Sequence, residues 1–196
     1  MPVQAGRHWT AAEVRELQEE QHHWPRFELI DGELLVTLCP TPQHQLAVGD
    51  FLAALHDYCD HEKVGRVLLS PSDIELTPDS ITQPDVFVYP LSTITRGRPL
   101  EWTDIASLVL AIEIIAPSTV HTDRVIKREF YLANGVANYW VVDLDARLVE
   151  MWTTKRETAT VARETLRWRP EGARAELEID LARLFDRVRG QYRISR

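Results

Sequence analysis

A chain of 196 residues amounts to about one typical domain, long enough to bury a sizeable core without disulfide or metal staples. Hydrophobic residues at 44% and charged residues at 27% exclude a disordered or collagen-like chain, and the longest apolar run, Ser107 to Pro117, contains Glu113 and is too short to span a membrane. Thirty acids against 22 bases leave a net charge of -8, which argues against a protein built mainly to neutralise phosphates along a duplex. No apolar stretch follows Arg7, so no signal peptide is expected, and Cys39 and Cys59 alone cannot form a disulfide framework. A soluble, cytoplasmic protein forming a single domain over residues 1–196 is the expectation.

The first expected element is a helix from Thr10 to Glu20, with Thr10 as N-cap and Glu13 three residues later, stopped by Pro25. Phe27 to Val36 reads as two short apolar strands around Asp31-Gly32, a strong local hairpin signal. Pro40 and Pro42 close it, and the apolar spacing from Gln43 to Asp60 predicts an amphipathic helix. Val67 to Leu69, Ile74 to Leu76 and Val86 to Tyr89 read as strands. Leu108 to Ile115, rich in Val and Ile, has the pattern of a central strand buried on both faces. A helix is expected from about Thr122 to Asn134, ended by Gly135, and strands follow at Tyr139 to Leu144 and Leu148 to Trp152. One further strand within Thr158 to Trp168 and a short helix around Leu181 to Phe185 complete an α/β fold, a mixed sheet flanked by helices.

Glu113 is the sharpest anomaly, since a carboxylate inside a continuously apolar strand is costly unless it is paired, hydrogen-bonded or bound to a cation. The bland alternatives are an exposed face or an arginine partner. Asp85 opens the strand Val86 to Tyr89 directly after Pro84; alone it reads equally as a turn former. Asp123 and Lys127 lie four apart on one helix face, the spacing of an ordinary ion pair. An Asp at one strand, a Glu in the next and a Lys on the following helix together suit a hard divalent cation, Mg²⁺ or Mn²⁺, beside a phosphate ester.

The segments Phe27-Glu28-Leu29-Ile30-Asp31-Gly32-Glu33, His44-Gln45, Gln83-Pro84-Asp85-Val86, Glu113 to Thr119, the set Asp123, Lys127 and Tyr131, and Tyr139 to Asp143 occur in a telling order. In that order the chain resembles the large family of putative restriction endonucleases, formerly a domain of unknown function, within the PD-(D/E)xK nuclease superfamily. The resemblance covers about residues 10 to 170. It implies a restriction-endonuclease-like core in which Asp85 and Glu113 are metal ligands, with the backbone carbonyl of Ile114 completing the metal shell. The lysine usual two residues after the Glu is Ile115 here, so Lys127 is the candidate for a lysine arriving from the neighbouring helix. Glu28, Asp73, His44 and Asp123 are further near-site candidates. The function implied is Mg²⁺-dependent (or Mn²⁺-dependent) hydrolysis of DNA phosphodiester bonds by a homodimer that does not engage membranes. The competing readings are a catalytically impaired binding or regulatory protein on the same fold, and a hydrolase of some other phosphate ester.

Overall fold

The computed structural model describes residues 7–21 and 24–190; residues 1–6, 22–23 and 191–196, including both ends of the expected 1–196 domain, lie outside that description. Helix α1 (Ala11–Glu20) begins at a capping box in which Thr10 and Glu13 satisfy each other's backbone N–H. The hairpin of β1 (Arg26–Ile30) and β2 (Glu33–Thr37) turns at Asp31 and Gly32, both with positive φ (50° and 81°), the geometry an Asp-Gly pair is suited to supply. Helix α2 (Pro42–Glu62) is capped by Thr41, whose hydroxyl accepts the His44 N–H, and has Pro42 where a missing N–H costs nothing.

The centre is a six-stranded mixed sheet in the order β3 (Arg66–Leu69), β4 (Val86–Tyr89), β5 (Leu110–Ile114), β6 (Asn138–Asp143), β7 (Leu148–Thr153) and β8 (Thr160–Ala162). Only β5 and β6 run parallel, joined by the helical crossover that such a pair needs. That crossover is a π-helical segment, Thr122–Lys127, continuing into α3 (Arg128–Ala133), which Gly135 ends in the left-handed conformation.

Strand parity sorts the core into two layers. Val86, Ile112, Trp140 and Val142 pack against Phe51 and Leu55 of α2 and against α4 (Leu181–Val188). Phe87, Ala111, Tyr139 and Val141 point the other way, toward Phe130 and Tyr131 of α3 and Ile30 and Leu35 of the hairpin. All five residues of β5 are buried, as its apolar composition implies. Tyr139 and Trp140 both fill the core. Among the described residues no helix is long and apolar enough to cross a membrane.

Three expected elements differ. Ile74 to Leu76 is not a strand: Ile74 forms only a single bridge to Thr82, because Pro71 and Pro78 bracket the segment and fold it back on itself. The expected helix from Thr122 opens in π form rather than α. The stretch Thr158 to Trp168 holds two strands, β8 and β9 (Thr165–Trp168), in different sheets; β9 pairs with β10 (Leu177–Asp180), whose alternating pattern has only four residues to announce it.

Candidate active site

The ladder between β4 and β5 ends at the pair Val86 and Ile112. One step further along the same antiparallel register, Asp85 comes opposite Glu113, and opposed residues share a face with Cβ atoms about 5 Å apart. That face is the one covered by α3 and the hairpin. Asp85 Oδ2 accepts the Ile114 N–H at 2.9 Å, closing the strand ends with a side chain where the backbone ladder has stopped. The same oxygen lies 3.0 Å from His44 Nε2, which enters from the first turn of α2.

Lys127 reaches this face from the crossover. Its ammonium stands 2.8 Å from Glu28, 3.0 Å from Glu113 and 3.8 Å from Asp123, with only 4% of the side chain exposed. Positions 123 and 127 lie four residues apart, about one turn along the segment, so their side chains leave the same face. The segment is pinned from outside: the Tyr139 hydroxyl donates to the Asp123 carbonyl at 2.7 Å, and Arg124 binds both Asp143 and Glu150 at 2.9 Å. Tyr131, one turn beyond Lys127, directs its hydroxyl to Glu113 Oε1 at 3.4 Å.

Three buried carboxylates (Glu28, Glu113 and Asp123) therefore share one ammonium, and a fourth, Asp85, stands beside them paired with His44. Burial pushes the Glu113 carboxyl well above its ordinary range; Lys127 opposes this, and Asp85, Asp123 and Glu28 reinforce it. Burial likewise raises Asp123, to about 6, against the pull of Lys127. Burial alone would lower Lys127, but Glu113, Glu28 and Asp123 outweigh it and hold the ammonium well above the usual lysine value. The cluster faces a cleft of about 760 Å³ walled by Trp24, Arg26 and Thr37 of the hairpin side, Thr41 at the start of α2, and Pro117 and Ser118 after β5.

These donors fit a hard cation. The hydrogen bonds accepted by Asp85 and Glu113 fall on Oδ2 and Oε1, leaving Oδ1 and Oε2 for a ligand, and the excess of buried negative charge is what a divalent ion relieves. Among the described residues no group of three or more His, Cys, Asp or Glu side chains is arranged to hold a metal unaided. Two carboxylates supplemented by water and substrate oxygens are the usual Mg²⁺ complement.

A family model described as Uma2, putative restriction endonuclease, matches residues 11–182. The chain belongs to that family. A solved structure, a putative nuclease belonging to DUF820 from Anabaena variabilis ATCC 29413, superposes with a TM-score of 0.72 at 21% identity, covering 89% of this chain and 98% of that one, and shows the shared fold. No curated protein matches the sequence.

In this Uma2 fold, Asp85, Glu113, Lys127, Glu28, His44 and Asp123 meet in one cluster. Asp73 does not: it lies behind the cluster and accepts hydrogen bonds from Gln18 at 3.2 Å and Gln83 at 2.7 Å. Ile114 meets Asp85 through its N–H. Two residues quoted within the motif segments were given no site role from sequence. Gln83 gives its backbone N–H to Glu28 Oε1 at 2.7 Å, and Tyr131 braces Glu113. Their only signal was position, two residues before Asp85 and four after Lys127.

Proposed function

We propose that the chain is a Mg²⁺- or Mn²⁺-dependent nuclease that hydrolyses DNA phosphodiester bonds. One observation carries the reading: Asp85 and Glu113, opposed across two strand ends, share a cleft with a lysine delivered from the next helix. Asp85 Oδ1, Glu113 Oε2 and the Ile114 carbonyl would hold the cation, which when bound supplies Lewis acidity toward a phosphoryl oxygen and acidifies water.

The chain's own residues do the rest. His44 and the Ile114 N–H fix the Asp85 carboxylate in one orientation, so that only one oxygen is presented. Tyr131 and Lys127 do the same for Glu113. Lys127 stays an ammonium at neutral pH and so acts as an electrostatic partner for developing negative charge rather than as the base. Glu28 and Asp123 hold that ammonium in place. The lysine missing two residues after Glu113 is thereby replaced in space by one fourteen residues on. A symmetric homodimer would present two such clefts to the two strands of a duplex, and the reading places the reaction in the cytoplasm.

The test is incubation of the purified protein with supercoiled plasmid and Mn²⁺ or Mg²⁺, beside Asp85→Asn. Nicked and linear products that need the metal and vanish in the variant are expected. Metal-independent cleavage, or equal cleavage by Asp85→Asn, refutes the assignment.

A further inference from the structure

A divalent ion on Asp85 and Glu113 would serve the phosphate at the carboxylate cluster, so a neighbouring phosphate of a substrate strand calls for a further cation in the cleft. Among the described residues, Arg26, Lys127 and Arg189 are the lysines and arginines lining it. Lys127 is enclosed by three carboxylates. Arg189 is spent on the protein itself, donating to the carbonyls of Leu144 and Asp145 at 3.0 and 2.9 Å, with the Asp145 carboxylate 3.7 Å away. Arg26 has no acidic partner among the described residues, and the contact it makes is with a ring. Its guanidinium carbon lies 4.3 Å from the centre of Trp24, which also lines the cleft.

Position along the strand gives the distance to the chemistry. Arg26 and Glu28 are two residues apart in β1, so they leave the same face of the hairpin, displaced by about 7 Å. Glu28 is the hairpin's contact with Lys127. The opposite parity, Phe27 and Leu29, is buried with Val14 of α1, which excludes a rotation of the strand that would turn Arg26 away. A half-buried guanidinium stacked on an indole is already desolvated on one face and ordered before any ligand arrives, while its planar fork keeps donors for a phosphate.

We propose that Arg26, held in place by Trp24, is the phosphate-binding residue of this cleft and engages an internal phosphodiester next to the one at the carboxylate cluster. The inference rests on the nuclease reading. It assigns the hairpin a substrate-positioning role in addition to presenting Glu28.

Fluorescence anisotropy of a short labelled DNA duplex, titrated in Ca²⁺ at several salt concentrations, tests it. Arg26→Gln should bind about tenfold more weakly and show a salt dependence shallower by about one released ion, with an unchanged melting temperature. Arg26→Lys should keep the slope, and Trp24→Leu should weaken binding without altering it. If the wild-type protein binds and nicks DNA but Arg26→Gln matches it in affinity and slope, the assignment falls while the nuclease reading stands. If the loss appears only with a 5′-phosphorylated duplex, Arg26 serves a terminal phosphate and the internal assignment is overturned. A wild-type protein that neither binds nor cleaves DNA overturns both.

Discussion

Replacing Lys127 with Met removes the ammonium that buried Glu28, Glu113 and Asp123 share while keeping most of the side-chain volume. At an effective dielectric near 20, each of its contacts at 2.8, 3.0 and 3.8 Å is worth ~4–6 kcal/mol of gross attraction. Desolvation of the ammonium and of its acids offsets most of that. Breaking one partner out of a buried ionic group typically leaves a net loss of ~3–5 kcal/mol. For a chain of this length that is a fall in melting temperature of roughly 6–20 °C. The loss should depend on pH in a definite direction. With no ammonium nearby, the carboxylates of the folded state bind protons more readily than those of the unfolded chain, so the variant is relatively more stable in acid and loses ground as pH rises. Thermal melts of both proteins in EDTA at pH 5 and pH 8 should show a smaller gap at pH 5. A gap under ~1 kcal/mol at pH 8, or one that widens toward pH 5, would refute the claim that Lys127 is the charge keystone of the cluster.

Metal-free wild-type protein should itself lose stability as pH is raised from about 4 toward about 6. Burial pushes Asp123 up to about 6 from the 3.8 of a free carboxyl, so the folded form holds the extra proton below 6, a difference of ~3 kcal/mol; Mg²⁺ should flatten that slope in chemical-denaturation curves, and a slope of opposite sign contradicts the burial argument. Glu113→Gln retains an acceptor for Lys127 and Tyr131 but removes a buried charge, so calorimetry should show Mn²⁺ binding lost with a melting temperature equal to or above wild type; unchanged Mn²⁺ affinity removes Glu113 from the proposed ligand set. Phe51, fully buried in α2 with its ring centre 6.4 Å from that of Trp140, should cost ~3–5 kcal/mol on truncation to Ala in urea unfolding, and a cost under ~1 kcal/mol would mean that the α2 face is not the packed core described.

The elements legible in the sequence were those whose pattern is local. Asp31-Gly32, the Thr10 and Glu13 pair and the unbroken apolar run of β5 each declare themselves within a few residues. Glu113 could be singled out because its cost is set by immediate neighbours. What escaped depends on register between distant strands. That Asp85 stands opposite Glu113 follows from a pairing no local pattern encodes, and the burial of Glu28 follows from the hairpin docking on Lys127. The alternation of Phe27 and Leu29 around Glu28 suits an exposed acid equally well. The π turn was hidden for the same reason: it is held by Tyr139 and Arg124 contacts from β6 and β7, not by propensity. Gln83 and Tyr131 are ordinary residue types whose roles appear only when their partners are in place.

Asp85 is a splice in the sheet as well as a carboxylate in the cleft. Its Oδ2 stands in for the carbonyl that would otherwise have received the Ile114 N–H, at the point where β4 and β5 part. Truncating it to alanine therefore orphans a buried amide and frays the strand ends that carry Glu113, so an inactive alanine variant says little about chemistry. Asparagine, with its carbonyl oxygen kept toward Ile114, separates the suture from the charge.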